Sequence, residues 1–391
     1  MQRICGEFQT RMAREVPPRS RPACGHRKFF DWRRRAVVDT RPVKTDLVIT
    51  DPRYVPPTNP GAFDRLLLRF INDPRDLPIA YLLLGYALTT YPAAFAVFWF
   101  GSWWLGLAYF LAHLAIHQDR CILMLHNTSH RVLFKPQYRI LNSYIPWVMG
   151  AFFGEPGIGY FSHHMGMHHP ENNLETDLST TMPYRRDSFL QFLVYYTKFM
   201  LTTAISLPVY LKAHKRGSLW WRMLFGEFGF YIACAVGLWL APVGTFFVFL
   251  LPFLSVRFLM MWGNWGQHAF VDGSRPGNCY VNSVTCINTR YNRRCFNDGY
   301  HIGHHLKANR HFSDLPGDLE RNVETYIREG AIVFDGIDFF QVSLYLFLGR
   351  YDWLAQHYVA LDGKPRSEQE IIEHLRSRTA PIHREAAAVA A

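Results

Sequence analysis

Ten of the eighteen histidines in this chain of 391 residues are gathered in four short segments. Neutral imidazole is a common ligand of iron, zinc and copper in proteins. Nine or ten imidazoles are more than one ion can bind, so the set predicts two metal ions with four or five ligands each. The ten residues are His126, His130, His163, His164, His168, His169, His268, His301, His304 and His305.

The spacing within the first two segments is that of a helix face. Residues four apart on a helix point to the same side. His126 and His130 are therefore expected to bind one ion from a single helix. His164 and His168 have the same spacing, and His169 is expected to turn toward the neighbouring ion.

The last two segments add further ligands. His301 and His304 are three residues apart, which also predicts a shared helix face, with His305 beside them. His268 follows Asn264 by four residues. A lone buried histidine is more often an ordinary core residue than a ligand, so the isolated histidines receive no role, and His311 is kept only as an alternative. The other isolated histidines are His26, His113, His117, His214, His357, His374 and His383.

Side chains that could orient the imidazole rings lie close to these segments in the sequence. A histidine that binds a metal through one ring nitrogen usually donates the other N–H to an oxygen acceptor. The candidates for this role are Thr128, Ser129, Glu155, Glu171, Glu175 and Asp177.

Two pairs of apolar segments must position the histidines. Residues 78–100 and 101–118 contain no charged residue and approach the length of a bilayer, so they predict a helical hairpin across a membrane. Residues 224–241 and 243–263 predict a second hairpin, interrupted at Pro242. Each hairpin returns the chain to the side from which it started.

Charged residues within the apolar segments restrict this topology. Residues 189–213 are apolar as well, but Lys198 lies inside them and Pro208 interrupts them, which favours an interfacial amphipathic helix over a span. Glu227 and Arg257 are expected near the membrane interfaces, where charge costs less. With residues 189–213 outside the bilayer, all four histidine segments lie on one face of the membrane.

Composition and charge exclude several classes of protein. Charged residues make up 19% of the chain, against about 25% in typical soluble proteins, so a simple soluble enzyme is not expected. The seven cysteines are odd in number and form no close-spaced pattern, which excludes a disulfide scaffold. No nucleic-acid recognition motif accompanies the net charge of +11, so no nucleic-acid partner is expected.

The N-terminal segment carries much of the positive charge. Residues 1–60 contain thirteen Lys and Arg against six Asp and Glu. This predicts a solvated, partly disordered tail on the cytosolic side, by the positive-inside rule. A lipid-binding juxtamembrane segment and an organelle transit peptide are the alternatives.

Taken together, the four segments resemble the histidine boxes of the membrane fatty acid desaturase/hydroxylase superfamily, over about residues 78 to 320. The H-x-x-x-H pattern at 126–130 resembles the first box, and the H-x-x-H-H pattern at 301–305 resembles the third. Asn264 and His268 resemble the Asn-x-x-x-His pair of stearoyl-CoA-type desaturases, in which the histidine binds iron and the asparagine holds a metal-bound water.

The second box departs from the common H-x-x-H-H pattern, because it reads H-H-x-x-x-H-H at 163–169. The resemblance carries the ligand role onto His164, His168 and His169, with His163 as the alternative to His164.

The resemblance implies an α-helical integral membrane protein with four transmembrane helices in two hairpins and a cytosolic helical cap that carries the histidines. It implies three regions: a basic N-terminal segment (1–75), the membrane domain with the metal centre (76–320) and a C-terminal helical and tail region (321–391). It also implies two iron ions, O₂ as co-substrate and an acyl-chain tunnel. Trp103, Trp104, Trp262 and Trp265 are expected either to line that tunnel or to anchor the chain at the membrane interface.

The function implied is O₂-dependent desaturation of a fatty acyl chain, either free or linked to CoA or to a lipid. A hydroxylase or oxygenase of acyl, sphingoid, alkane or carotenoid substrates on the same scaffold is the first alternative, and a non-redox zinc-binding membrane protein is the second. No His-Pro-Gly-Gly motif is present, so no fused cytochrome b5 domain is expected. A separate electron donor of cytochrome b5 or ferredoxin type is implied, with the protein in the endoplasmic reticulum membrane and a cytosolic active site, or alternatively in a plastid membrane.

Overall fold

The computed structural model describes residues 47–157 and 159–382. Most of these residues are helical. The expectations for residues 1–46, and the isolated histidines His26 and His383, lie outside the described residues. The longest helices are Leu77–Phe100, Trp103–His113, Asp119–His130, Phe189–Ala213, Gly217–Leu240 and Leu251–Gln267.

Shorter helices connect and cover these long ones. The short α-helices are Ala62–Leu68, Gly150–Phe153, Gly159–His163, His169–Glu171, Pro242–Thr245, Cys279–Asn282, Arg290–Arg294, His301–Leu306, Leu315–Arg321, Val323–Glu329, Phe339–Phe347, Tyr351–His357 and Glu368–Ser377. Single π-helical turns cover Leu114–Gln118, Ile145–Met149, His164–His168 and Phe246–Leu250. Short 3₁₀ segments cover Pro74–Asp76, Pro136–Ser143 and Phe312–Asp314.

Among the described residues, four helical segments are long and apolar enough to cross a membrane: Pro74–Phe100, Phe189–Ala213, Gly217–Leu240 and Pro242–Gln267. The first, third and fourth correspond to predicted spans. The segment predicted over 101–118 is not among these four. It runs through a π-helical turn into helix Asp119–His130, which is rich in polar residues.

Helix Phe189–Ala213 meets the length and composition criteria for a span, although an interfacial course is predicted from the sequence. Its flanking residues contact histidine-bearing segments at both ends. Arg186 donates to the Ala269 carbonyl at 3.0 Å, next to His268, and Arg216 donates to the Gly166 carbonyl. A 25-residue helix is about 37 Å long, so a helix crossing the bilayer would carry one end away from the histidines. These contacts therefore support the interfacial course, which stays a prediction.

Glu227 and Arg257 were expected near the ends of their helices, and this prediction is wrong. Helix Gly217–Leu240 begins seven residues earlier than expected, which moves Glu227 towards its middle. Glu227 is 1% exposed and Arg257 is 7% exposed. The two residues pair at 2.7 Å inside the protein, so the pairing replaces the solvation that an interface would supply.

The helical cap packs against the last membrane helix. A Cβ added at Gly266 would lie 2.3 Å from the Phe339 carbonyl oxygen, so the backbones of helices Leu251–Gln267 and Phe339–Phe347 touch where glycine leaves room. Strands Val284–Ile287 and Ile332–Asp335 pair in parallel and join this layer to the segment that leads into helix His301–Leu306. The cap thereby fixes the fourth histidine segment relative to the third.

Candidate metal centre

Nine of the ten predicted histidines converge in two groups. Within each group, one ring nitrogen of every member lies within 4.8 Å of the corresponding nitrogens of the others. The first group contains His126, His130, His164, His169 and His304, and the second contains His168, His268, His301 and His305. The rings come from four separate helical segments, as the sequence analysis requires.

The first group is closely packed through Nε2 atoms. The His126–His304 and His130–His164 Nε2 pairs are each separated by 2.9 Å. The His164–His169 and His169–His304 pairs are separated by 3.1 Å and 3.0 Å. Nitrogen–metal bonds of about 2.1 Å place adjacent ligands of one ion about 3 Å apart in octahedral geometry. The spacing of these five rings therefore fits ligands around a single ion.

The second group has similar geometry. The Nε2 atoms of His301 and His305 are 3.0 Å apart, and those of His301 and His268 are 3.3 Å apart. The His168 ring lies 5.6 Å from the His268 ring and 5.3 Å from the His305 ring, centroid to centroid. Four converging imidazoles complete a second candidate site beside the first.

The distribution of ligands differs from the predicted one in two places. His164 and His168 were expected to share an ion, but a π-helical turn at His164–His168 pairs His164 with His169 instead. A π-helix closes its hydrogen bonds between residues five apart, and the amide of His169 donates to the His164 carbonyl. Likewise His301 pairs with His305, four residues on, and His304 joins the other group.

Buried oxygen atoms orient the rings from behind. Nδ1 of His168 donates to Asp177 at 2.7 Å, and Nδ1 of His126 donates to Asp298 at 3.1 Å. Nδ1 of His268 donates to the Asn282 carbonyl at 2.9 Å. A hydrogen bond from Nδ1 fixes the tautomer that leaves the Nε2 lone pair free for a metal.

Of the six candidates for this orienting role, Asp177 alone is seen to contact a grouped ring. The hydroxyls of Thr128 and Ser129 instead donate to backbone carbonyls within their own helix. Glu171 accepts from Thr176 and Tyr210, Glu155 lies near Arg257, and Glu175 is exposed.

Asp298 and Asn282 are not among the partners predicted from the sequence. Asp298 lies three residues before His301, a proximity that could have singled it out, whereas nothing local in the sequence marks Asn282.

Burial favours the neutral, metal-binding form of His130, His169 and His268. Burial, together with the neighbouring imidazoles, lowers the pKa of His130 to about 3 and that of His169 to about 2. Burial and His168 lower the pKa of His268 to about 4. Burial alone would raise the pKa of Asp177, but the charge and hydrogen bond of His168 outweigh it and hold that pKa below its usual range.

Asn264 and His163 lie beside the groups rather than in them. The Asn264 amide donates to the Ser179 carbonyl at 2.9 Å and to the Tyr195 hydroxyl at 2.8 Å. His163 packs against Phe199, and its Nε2 is 3.9 Å from Asp177. Both residues line a cavity that also touches His126, His164, His168 and His301.

The isolated histidines have other partners. His113 bonds to the Tyr86 hydroxyl at 3.0 Å, and His311 bonds to Asp76 at 3.0 Å. His117 bonds to Thr89, His214 to the carbonyl of Tyr210, and His357 to the carbonyl of Asp335. His374 lies in the last helix, Glu368–Ser377. These six rings lie outside both groups.

The cavity beside the two groups is mostly apolar. One wall comes from helix Asp119–His130, which also carries two of the histidines, and another comes from helix Leu251–Gln267. As the described residues form it, the cavity is not lined by any of the four tryptophans considered for a tunnel. Its apolar and aromatic lining consists of Ile122, Leu123, Tyr160, Phe199, Leu259, Met260, Met261, Tyr291 and Phe340.

The tryptophans divide between the membrane surface and the core. Trp103 and Trp104 are exposed, as interfacial anchors would be, whereas Trp265 is fully buried. The indole N–H groups of Trp262 and Trp265 donate to the carbonyls of Phe340 and Arg186.

Comparison with known proteins gives one match. A family model described as fatty acid desaturase matches residues 101–335, which is more than half of the chain and includes all nine grouped histidines. No curated protein and no solved structure matches the chain.

Proposed function

The chain belongs to the fatty acid desaturase family, and from that premise we propose that it desaturates a fatty acyl chain with O₂ at two irons held by the nine grouped histidines. The observation that carries the proposal is the division of the histidines into adjacent groups of five and four ring nitrogens. A group of five imidazoles exceeds the four ligands of a structural zinc site, which favours iron over the zinc alternative.

The donor set fits the metal centre typical of this family. The ring nitrogens converge, and three of the rings donate from Nδ1 to oxygen acceptors on the side away from the centre. Two irons bound there would supply the reductive activation of O₂ that attack on an unactivated C–H bond requires. His126, His130, His164, His169 and His304 would hold one iron, and His168, His268, His301 and His305 the other.

The protein's own residues orient the centre and the substrate. Asp177 and Asp298 fix the tautomers of His168 and His126. Asn264, held by Ser179 and Tyr195 at the cavity wall, is the residue proposed to hold a metal-bound water.

The apolar lining beside the histidines would place an acyl chain against the centre and exclude bulk water. In the overall reaction two hydrogens leave the chain. O₂ takes up these hydrogens together with two electrons and two protons, giving two molecules of water.

The electrons require a separate donor protein. A cytochrome b5 or ferredoxin type of donor, binding at the cap, suits a centre that the cap helices carry. The basic N-terminal segment supports a cytosolic cap and a location in the endoplasmic reticulum membrane.

Desaturation is proposed ahead of hydroxylation because the pair Asn264 and His268 resembles that of acyl desaturases. Expression of the full chain in a host of defined lipid composition, with fatty-acid and sphingolipid profiling by mass spectrometry, tests the assignment. Desaturation gives a product lighter by two hydrogens, and the metal content should be iron. A product heavier by one oxygen would indicate hydroxylation instead, and zinc in protein from its own membrane would contradict both reactions.

A further inference from the structure

A smaller pocket with polar walls adjoins the apolar cavity beside the histidines. The two spaces share the residues Tyr160, His163, Phe199, Met260 and Met261. Beyond them, the smaller pocket is lined by Glu155, Thr203, Glu227 and Arg257. A hydrocarbon chain in the apolar cavity would therefore have these polar groups beside it.

The polar pocket is built around a buried ion pair. The Arg257 Nη2 atom lies 2.7 Å from Glu227 Oε1, and Arg257 Nε lies 3.8 Å from Glu155. Burial, opposed by the charge of Arg257, raises the pKa of Glu155 to about 7. Ionisable residues within membrane-spanning helices are costly, and by default they mark functional sites.

Several polar atoms of this pocket make no hydrogen bond within the described part of the chain: Glu227 Oε2, Arg257 Nε, Thr203 Oγ1 and His163 Nε2. Glu227, Arg257 and Thr203 are each more than nine-tenths buried. A buried polar group without a hydrogen bond costs free energy, and such groups are uncommon in folded proteins. Four of them around one pocket indicate that the pocket receives a polar ligand group.

The donors and acceptors without hydrogen bonds in this pocket favour one kind of ligand group over others. A carboxylate would bring a further negative charge against Glu227 and Glu155, which face one guanidinium. An ammonium group has no acceptor to offer the free N–H of Arg257. A hydroxyl group can donate to Glu227 Oε2 and accept from Arg257 Nε at once, and the Thr203 hydroxyl can adopt either role.

We propose that this pocket binds a hydroxyl group on the substrate, so that the preferred substrate is a hydroxylated acyl chain. The inference rests on the proposed function and specifies its substrate class. A Cβ added at Gly159 would lie 2.8 Å from Glu227 Oε2, and Gly159 precedes His164 by five residues. Five residues advance about 7.5 Å along a helix axis, so the hydroxyl site lies close to the backbone of His164, a proposed metal ligand. The hydroxyl would then fix which carbon of the chain faces the metal centre.

A binding competition tests the pocket without requiring turnover. The purified full-length protein in detergent is incubated with equal amounts of methyl octadecanoate and one methyl monohydroxyoctadecanoate, across the positional isomers. Bound lipid is then measured by mass spectrometry after repurification. At least one isomer should be enriched about tenfold or more over the unsubstituted ester.

Variants test whether the pocket causes the preference for the hydroxylated ester. Thr203→Val, which removes the free hydroxyl at almost unchanged volume, should lower the enrichment several-fold. Replacing the ion pair by two methionines (E227M with R257M) keeps the volume without leaving an unpaired charge, and should favour the unsubstituted ester. Thr202→Val is the matched control, because its hydroxyl donates to the Lys198 carbonyl within its own helix, and it should keep the enrichment.

The proposal is overturned if no isomer is enriched, in which case the pocket holds water only, or if both pocket variants keep the enrichment of the unmodified protein. Enrichment without oxidation of any lipid would contradict the proposed desaturation but would still support hydroxyl binding in the pocket. Desaturation without enrichment would contradict the pocket alone.

Discussion

His164 and His169 bring their Nε2 atoms to 3.1 Å although they are five residues apart. On a regular α-helix, positions five apart diverge by about 140°, because each residue adds about 100°. The π-helical turn at His164–His168 reduces this divergence, because its hydrogen bonds join residues five apart. It also turns His168, the neighbour of His169, into the other group. One irregular turn thus supplies ligands to both candidate metal sites, in keeping with the frequent occurrence of π-helical turns at functional sites.

Loss of a ring from either group should remove metal and activity together. His169→Ala and His168→Ala act on different groups, and each should lower the iron content below two per chain and abolish desaturation. His130→Ala and His305→Ala should behave in the same way. Metal analysis of the purified variants and product analysis by mass spectrometry give the readouts. His374→Ala, in the last helix, is the control and should keep both, whereas full iron and activity in His169→Ala would contradict the ligand assignment.

The carboxylate behind His168 should matter for metal affinity more than for the fold. Asp177→Asn keeps the shape of the side chain but removes the charge that holds the tautomer of His168. Loss of such an outer partner typically weakens metal binding about 10- to 100-fold. Chelator titration of the iron-loaded protein measures this change, with Glu175→Gln, at an exposed position, as the matched control. Equal chelator resistance in both variants would mean that Asp177 has only a structural role.

The metal-free protein should lose stability on acidification. Burial lowers the pKa of His130 to about 3 and that of His169 to about 2, against 6.5 for an ordinary histidine. The unfolded chain therefore binds protons first as the pH falls. The stability from these neutral rings is complete above about pH 6.5 and declines as the pH falls from there toward the pKa of the folded state.

Thermal unfolding of chelator-treated protein in detergent, from about pH 8 to about pH 5, measures this decline. His130→Gln cannot take up the proton and should flatten the dependence. An unfolding temperature that rises as the pH falls through this range would contradict the buried, neutral state of the rings.

The sequence predicts which histidines converge far better than how they divide into two groups. Clustering at helical spacing identifies eight of the nine grouped residues, because a helix face is a local property, whereas His268 is identified through its pair with Asn264. The pairing of His164 with His169 depends on one π-helical turn, which the pattern H-H-x-x-x-H-H does not distinguish from an α-helix. Asn282 contacts His268 through its backbone carbonyl, which any residue type would provide.

In the fold, too, features that depend on tertiary contacts are not predicted from the sequence. Apolar length predicts three of the four described segments that reach bilayer dimensions, but it does not predict which polar residues find partners inside them. Glu227 and Arg257 are thirty positions apart in the sequence, and their contact depends on how two membrane helices pack. The course of residues 189–213 depends likewise on tertiary contacts at both ends rather than on composition.

The close contact at Gly266 should tolerate no side chain. In Gly266→Ala the new Cβ would lie 2.3 Å from the Phe339 carbonyl oxygen, so helix Phe339–Phe347 must move. Overpacking of this kind costs about 1–3 kcal/mol. Gly263→Ala on the same helix is the matched control, because its nearest neighbour is a Phe340 ring atom at 3.9 Å. A lower unfolding temperature for the first variant alone is expected, and equal unfolding temperatures would contradict the packing.

The course of helix Phe189–Ala213 can be decided by which side of the membrane its ends face. Arg186 and Arg216 tie both flanks to histidine-bearing segments, so both ends should lie on the side of the metal centre. A cysteine at Arg185, whose side chain is 67% exposed, and another at the exposed Lys215 report the two flanks. In sealed vesicles with the cap outside, a membrane-impermeant maleimide should label R185C and K215C equally, above the background of the unmodified chain. Labelling of one site only, with the other exposed after detergent is added, would show that the helix crosses the bilayer. Such a crossing would put three spans between His126 and His268, and so place them on opposite faces of the membrane, which their convergence in the candidate metal centre does not allow.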